Sequence, residues 1–148
     1  LDISRIARDI LGQLATHDPD RKVHWRVEEG LAAYGDPGLC EIALKNLIGN
    51  AWKYTMHTNN AQIQVGSPMQ GQTRVFFIKD NGAGFPSEKA NLLFIPLQRL
   101  HSHQEFPGNG IGLATVQRIV HRHGGRIWAE GATGEGATFF FTLPEEAG

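Results

Sequence analysis

The segment spanning residues 36–54 constrains the fold more than any other part of the chain. Asp36 is a favoured capping residue and Pro37 suits the first turn of a helix, so a helix is predicted to begin here. Apolar residues then recur at the spacing of one helical face: Cys40, Leu44, Leu47, Ile48 and Ala51. Such a face is stable only when another layer covers it. We therefore expect this helix, which should run to about Tyr54, to pack on a sheet.

The other periodic segments supply that sheet and two more helices. An amphipathic helix is predicted for residues 2–14, and another for residues 113–123, where Gly124-Gly125 ends it. Alternating or continuous apolar runs predict five strands, at residues 23–27, 61–66, 73–79, 126–130 and 137–143. Together they predict an α/β (α+β) two-layer sandwich, with a mainly antiparallel sheet and the helices on one face.

Length and charge narrow the classes of function. The 148 residues fit a single domain spanning residues 1–148, and the formal net charge of −1 favours neither nucleic acid nor an anionic membrane as partner. No apolar run approaches the roughly 20 residues needed to cross a bilayer. The sequence does not begin with Met and opens directly into a helical pattern, so we expect a fragment of a longer protein.

A polar stripe runs along the helix predicted for residues 36–54. Asn46, Asn50, Lys53 and Tyr54 stand at positions i, i+4, i+7 and i+8. Amide oxygens suit a hard cation such as Mg²⁺ that keeps several waters, and a lysine on the same stripe can reach a phosphate. A solvated helix face would carry the same residue types. The stripe alone therefore leaves both interpretations open.

Two glycine-rich segments follow in the chain. Asp-Asn-Gly-Ala-Gly-Phe at residues 80–85 comes directly after an apolar strand, and its carboxylate can accept a hydrogen bond from an exocyclic amine where the glycines let a ligand approach. A tight turn would also explain this segment. Gly-Asn-Gly-Ile-Gly at residues 108–112 leads into a helix, whose first backbone amides attract phosphates.

Two common phosphate-binding motifs are absent. The sequence has no G-x-x-x-x-G-K-[ST], so it is not a P-loop protein. The glycine segment at residues 108–112 also lacks the third glycine of G-x-G-x-x-G, because Leu113 occupies that position. The order and spacing of the two glycine segments relative to the asparagine helix carry more information than either segment alone.

With motifs in this order, the sequence resembles the catalytic, ATP-binding domain of sensor histidine kinases in the GHKL superfamily, over residues 1–143. The resemblance rests on five stretches: an N box at 46–55, a G1 box at 80–85, an F box at 94–101, a G2 box at 108–113 and a glycine turn at 134–139. Residues 98–108 are most similar to kinases attached to phytochrome or similar sensory modules. The F box departs from the family pattern at Leu97, where a second aromatic residue is usual.

The resemblance implies a Bergerat ATP-binding fold that uses ATP and Mg²⁺, with a mobile ATP lid at about residues 86–110. It implies that Asn50 coordinates Mg²⁺ and that Asn46 lies close to the metal or the triphosphate. Lys53 would contact phosphate, and Arg99 in the lid would reach the γ-phosphate. These four residues form the implied catalytic set.

The resemblance also implies how the base and phosphates are held. Tyr54 would flank the adenine, and Asp80 would accept a hydrogen bond from its amino group, with Gly82 and Gly84 giving the base room. The remaining implied nucleotide-binding residues are Gly108, Gly110, Ile111, Gly112, Leu113 and Thr138.

Hydrolytic relatives of the same fold class offer an alternative function. In those families a glutamate one helical turn before the metal-binding asparagine activates water. Asn46 occupies that position here, and a neutral amide cannot act as a general base near neutral pH. Glu41 is nine residues before Asn50 and is expected to be a surface charge. Phosphotransfer is therefore favoured, and a nucleotide-binding regulatory module without turnover is a third possibility.

The resemblance implies partners that this chain does not contain. The phosphate acceptor would be a histidine on a separate helical dimerisation domain of the same protein, because none of the seven histidines here stands in the family's acceptor pattern. A response regulator and an upstream sensory domain would complete the pathway in the cytoplasm, without direct membrane contact. The full-length protein would be a homodimer, and the fragment is expected to be a monomer.

Overall fold

The computed structural model describes residues 1–68, 75–95 and 112–144. The helices in these ranges are α1 (Ile3–His17), α2 (Pro37–Tyr54) and α3 (Gly112–Arg122), and a short 3₁₀ helix spans Ser87–Leu92. The strands are β1 (His24–Val27), β2 (Gln62–Gly66), β3 (Val75–Asp80), β4 (Ile127–Ala132) and β5 (Gly136–Thr142). The predicted order of elements is thus confirmed for this part of the chain.

The strands form one five-stranded sheet in the order β1-β2-β3-β5-β4. Only β1 and β2 pair in parallel, and the other three pairings are antiparallel. The prediction of a mainly antiparallel sheet is confirmed. Since β1 is an edge strand, its parallel pairing leaves the antiparallel centre of the sheet unchanged.

All three helices cover the same face of the sheet. Along each strand, side chains alternate between two faces, and every second one enters the core with the apolar residues of α1, α2 and α3. The strand residues on this side include Ile63, Val65, Phe76, Ile78, Phe139 and Phe141, all of which are buried. The predicted two-layer sandwich is therefore confirmed, and its other sheet face has no described helix on it.

Helix α1 ends later than predicted. Asp2 caps α1 as its side chain accepts a hydrogen bond from the Arg5 amide at 3.0 Å, but the helix continues past the predicted end to His17. The His17 ring bonds to the Gln13 carbonyl and extends the last turn. The Pro that follows Asp18 disfavours a helical conformation there and explains the stop.

Helices α2 and α3 run antiparallel and bring distant segments together. Asp36 caps α2 by accepting from the Leu39 amide at 2.8 Å, as predicted. Its own backbone amide donates to the His123 ring, just beyond the end of α3, at 3.0 Å. At the other end, Gly112 at the start of α3 lies beside Asn46 in the middle of α2. The second half of α2, the start of α3 and the end of β3 therefore share one region.

Candidate active site

Asp80 is the buried acid of this region. It is the last residue of β3 and only 5% exposed, and its Oδ1 accepts a hydrogen bond from the Gly82 amide at 2.8 Å. Burial raises the pKa of the Asp80 carboxyl to about 6, although hydrogen bonds from the backbone of Gly82 and Ala137 lower it. A carboxylate held in this way can accept a hydrogen bond from a ligand, and such a bond favours its ionised form.

The turn after Asp80 is fitted closely to the end of α2. The Ala83 amide donates to the Tyr54 carbonyl at 3.0 Å. A Cβ on Gly82 would lie 2.2 Å from that same carbonyl oxygen, a distance that no side chain can accept. Glycine at position 82 therefore allows the predicted G1 turn to contact the predicted N box directly.

Position 84 requires a glycine for two reasons, its backbone conformation and the lack of room for a side chain. Its φ of +66° lies in the left-handed region, and a Cβ there would lie 2.0 Å from the Ala132 carbonyl oxygen. On the other side of the turn, the Gly134 amide donates to the Ala83 carbonyl at 2.7 Å. The glycine turn between β4 and β5 thus holds the segment that follows Asp80.

The four stripe residues of α2 are all half-buried. Asn46 donates from Nδ2 to the Ile42 carbonyl at 3.0 Å, and its Oδ1 lies 2.7 Å from the place that a Cβ on Gly112 would occupy. The Lys53 ammonium lies 4.8 Å from the centre of the Tyr54 ring. The amide oxygen of Asn46 is therefore turned toward the start of α3, where phosphate-binding amides were predicted.

Glu41 is a surface charge, as predicted. Its carboxylate lies 3.5 Å from the Lys45 ammonium one turn along α2, and both side chains are more than half exposed. It therefore does not supply a carboxylate beside Asn46.

Thr138 is not brought together with Asp80. In the β3–β5 register Thr138 lies opposite Lys79, whereas Ala137 lies opposite Asp80. Because paired residues share a face and neighbours along a strand alternate, the Thr138 side chain lies on the face away from the helices. Ala137, through its backbone, is the β5 residue that contacts the Asp80 carboxylate, and a nucleotide-binding role for Thr138 stays a prediction.

Several predicted residues lie outside the described ranges. They are Arg99, Gly108, Gly110 and Ile111, together with residues 96–110 of the predicted lid. Of the F box, Phe94 is described, and its ring meets the Phe139 ring edge-on at 6.3 Å. Gly112 and Leu113 are the first two residues of α3, as their position in the predicted G2 box requires.

Arg21, which no sequence pattern singled out, holds the end of α2. Its guanidinium donates to the Trp52 carbonyl and, at 2.9 Å, to the Thr55 hydroxyl, while it lies over the Trp52 ring. These contacts satisfy carbonyl groups that a helix end leaves without partners. No local pattern could have revealed Arg21, because its partners are more than 30 residues away in sequence.

Comparison with known proteins identifies this arrangement. Residues 35–147 match the family of histidine kinase-, DNA gyrase B- and HSP90-like ATPases, which is more than half of the chain. The chain belongs to this ATPase family. Together with the similarity to a histidine kinase reported in the next paragraph, this match confirms the resemblance to the ATP-binding domain of sensor histidine kinases and the Bergerat fold.

Relatives of this ATPase domain are multidomain sensor proteins. Cyanobacterial phytochrome A from Nostoc sp. is 41% identical over 100 residues, which are 68% of this chain and 13% of that protein. The methanogenesis regulatory histidine kinase FilI from Methanothrix harundinacea is 40% identical over 102 residues, or 69% of this chain and 11% of FilI. The chain thus spans little more than a tenth of the length of these two relatives.

Solved structures share the fold over the whole ATPase domain. The mycobacterial sensor histidine kinase MprB superposes with a TM-score of 0.80 at 24% identity, covering 100% of this chain and 99% of that one. Full-length ShkA in complex with AMPPNP gives a TM-score of 0.76 at 25% identity, covering 100% of this chain and 31% of ShkA.

The shifted pKa of Asp80 predicts a pH-dependent stability. Because the folded-state pKa is raised from 3.8 to about 6, the folded protein binds this proton more tightly than the unfolded chain does. The contribution of Asp80 to stability is therefore fully present below about pH 4 and is lost as pH rises through 6. We expect the free energy of unfolding of the wild type, relative to Asp80→Asn, to fall by about 3 kcal/mol over this window.

Urea unfolding of both proteins at a series of pH values measures this difference. All other titrating groups are common to the two proteins and cancel in the comparison. A difference that stays constant from pH 4 to 7 would contradict the burial of an ionisable carboxyl at position 80.

Proposed function

We propose that this chain transfers the γ-phosphoryl group of Mg²⁺-bound ATP to a histidine on a separate helical dimerisation domain of the same protein, for relay to a response regulator. The observation that carries the proposal is Asn46. It stands beside the start of α3, and its amide is oriented by its bond to the Ile42 carbonyl. A neutral amide in this place supports positioning of a phosphate and offers no base for activating water.

The residues described fit an adenine nucleotide. Asp80 offers a buried acceptor at the end of β3, and Gly82 lets the turn beside it pack directly against the Tyr54 carbonyl. We assign the adenine amino group to Asp80 and a flanking position to Tyr54. The first amides of α3, at Gly112 and Leu113, would attract the phosphates together with the helix dipole.

We assign Mg²⁺ to the amide oxygens of Asn50 and Asn46, with Lys53 beside the phosphates. Oxygen donors of this kind, completed by phosphate and water, suit Mg²⁺. When bound, the metal neutralises charge on the transferring group, and the protein contributes mainly positioning. The residues outside the described ranges join this set as proposals: Arg99 at the γ-phosphate, with Gly108, Gly110 and Ile111 around the chain of phosphates.

The relatives support a proposal for the full-length protein that contains this domain. We propose a full-length homodimer with an upstream sensory module of the phytochrome-like kind and a cytoplasmic location for this domain. No helix in the described ranges is long and apolar enough to cross a membrane.

Phosphotransfer can be tested with two purified components. The chain is mixed with γ-labelled ATP, Mg²⁺ and the helical domain of its parent protein, and a second mixture carries that domain with its acceptor histidine replaced. Label on the intact helical domain alone is the expected result. Steady release of inorganic phosphate by this chain, with no labelled histidine in either mixture, would instead identify a hydrolase. Nucleotide binding with neither product would identify a regulatory module.

Replacing Asn50 tests the assignment of the metal. We expect Asn50→Ala to lose most of the gain in ATP affinity that Mg²⁺ gives over EDTA, because one of the two assigned protein ligands of the metal is gone and only Asn46 remains. The wild type should bind at least about tenfold more tightly with Mg²⁺, since an additional metal contact is worth roughly 1.4 kcal/mol or more. Calorimetric titrations with ATP, in Mg²⁺ and in EDTA, measure the affinities of the variant and of the wild type. Asn59→Ala, in an exposed turn, is the control and should behave as the wild type.

A further inference from the structure

The sheet face without described helices carries a cavity that is distinct from the candidate active site. It has a volume of about 410 Å³ and lies across β1, β2 and β3. Five exposed side chains on alternate strand positions line it: His24, Arg26, Gln62, Gln64 and Lys79. We refer to it as the open-face cavity. Asp80 borders both this cavity and the proposed nucleotide site. Its carboxylate is turned to the helix-covered side of the sheet, so the two sites are separate.

Strand register brings two cations together across this cavity. Arg26 lies opposite Gln64, and Gln64 lies opposite Lys79, so the two cations flank one glutamine in a single row. Their Cα atoms are separated by two strand spacings, which is about 10 Å. Both side chains are long enough for their charged groups to converge above Gln64. His24 and Gln62 form the next row.

No described carboxylate neutralises this pair. The ion pairs found within residues 1–68, 75–95 and 112–144 join other side chains, Arg8 to Glu29 and Lys45 to Glu41. Glu28 is directed toward the Ser67 amide, at the far end of β2. Glu130 shares the row of Lys79 at the same separation as Arg26, on the far side of Thr138, but it forms no ion pair with Lys79 within the described residues. The cavity therefore presents positive charge that an anion would stabilise.

Of the side-chain amides around the cavity, one is held by hydrogen bonds to the backbone and two are open to a ligand. Asn81 is bonded at both side-chain polar atoms: its Oδ1 accepts from the Gln62 backbone at 2.8 Å, and its Nδ2 donates to the Asn60 carbonyl at 2.9 Å. These bonds fix the cavity floor. The side chains of Gln62 and Gln64 have no hydrogen bond to any described residue, so both amides can donate to a ligand.

The donor set favours a phosphate over a carboxylate. An arginine, a lysine and two glutamine amides surround the cavity with donors on several sides, and the three terminal oxygens of a phosphate monoester can meet donors from more directions than the two oxygens of a planar carboxylate. The volume lies in the lower part of the range of small-molecule pockets.

An aromatic surface adjoins the two cations on the same face. Phe77 stands two residues before Lys79, and its ring covers Gly66, where a Cβ would lie 3.0 Å from the ring edge. The Phe140 ring follows at 6.4 Å and stacks on Trp128 at 5.4 Å. This surface can contact an apolar or planar group attached to a phosphate held by Lys79.

We propose that the open-face cavity binds a small organic phosphate, with its anion on Arg26 and Lys79, its remaining oxygens on Gln62 and Gln64, and its organic part toward Phe77. The site would be a second ligand site of the domain, on the opposite face of the sheet from the nucleotide. It does not depend on the proposed phosphotransfer.

The test uses phenyl phosphate as the probe and amide resonances of the whole chain as the readout. We expect saturable shifts at Gln62, Gln64 and Lys79, with inorganic phosphate binding more weakly at the same residues. The double variant Arg26→Gln/Lys79→Gln should weaken binding at least tenfold, and Arg5→Gln, an exposed cation on α1, should leave it unchanged. A separate ATP titration, followed at Asn46 and Gly112, reports the nucleotide site independently.

Three results would overturn the proposal. One is a linear, unsaturated response at the three residues. Another is equal weakening by the Arg5 and the double variants, which would indicate general attraction of anions. The third is tighter binding of a tetraglutamate peptide than of phenyl phosphate, which would identify an acidic protein segment as the ligand.

Discussion

Asp80→Asn is expected to lower the affinity for ATP about 100-fold and to leave the protein folded. The buried carboxylate accepts a hydrogen bond from the adenine amino group in the proposed complex, and an amide at this position would direct its own N–H groups at that amine or at the backbone. Losing a hydrogen bond to a charged group costs about 3 kcal/mol in a buried site, which corresponds to about 100-fold.

The same substitution should not destabilise the free protein at neutral pH. An amide oxygen can still accept from the Gly82 backbone, and the amide group removes the need to bury a charge. Calorimetry with ATP measures the loss of affinity, and urea unfolding measures the retained stability. Asp20→Asn, an exposed residue of the same type, is the control and should change neither. Unchanged ATP affinity in Asp80→Asn would remove Asp80 from the site.

Gly84→Ala is expected to cause the largest loss of stability among the glycine substitutions of the site. The left-handed conformation alone costs an alanine about 1–2 kcal/mol. The new Cβ would also lie 2.0 Å from the Ala132 carbonyl oxygen and 2.8 Å from that of Gly136, and both are backbone atoms that cannot rotate away. Moving backbone in a packed region adds about 1–3 kcal/mol.

Gly134→Ala separates these two effects. Gly134 has a similar φ of +78°, but nothing lies within 4 Å of the place that its Cβ would occupy. We expect this control to lose only the conformational part, about 1–2 kcal/mol. Urea unfolding of both variants gives the comparison. Equal losses in the two would show that the close approach between the G1 turn and β4 is absent in solution.

Local signals in the sequence were sufficient for much of the fold. Two adjacent residues, Asp36 and Pro37, were enough to predict the start of α2, because capping depends on the side chain at the helix boundary. Its apolar face follows directly from helical spacing. Asp80 and Gly82 could be singled out because a carboxylate and glycines at a strand end are also local features. In each case the physical cause lies within a few residues of its effect.

The face on which Thr138 lies, and the features that were missed, depend on contacts between distant segments. Thr138 lies on the other face because the β3–β5 register pairs Asp80 with Ala137, and a shift of one residue reverses every side chain. Arg21 acts on a helix end that is distant in sequence. The open-face cavity exists only because β1 adds to β2 in parallel and places Arg26 level with Lys79. None of these relations can be read from residue spacing along one element.

The titration of the Asp80 side-chain carboxyl, followed by carbon NMR, is the most direct test of the proposed site. In the free protein we predict a pKa of about 6, because the carboxyl is buried. With saturating ADP the pKa should fall by at least about one unit, since the adenine amino group donates to the ionised form. A pKa near 4 in the free protein, or a value of 6 that ADP does not change, would contradict the assignment of Asp80 as the adenine acceptor.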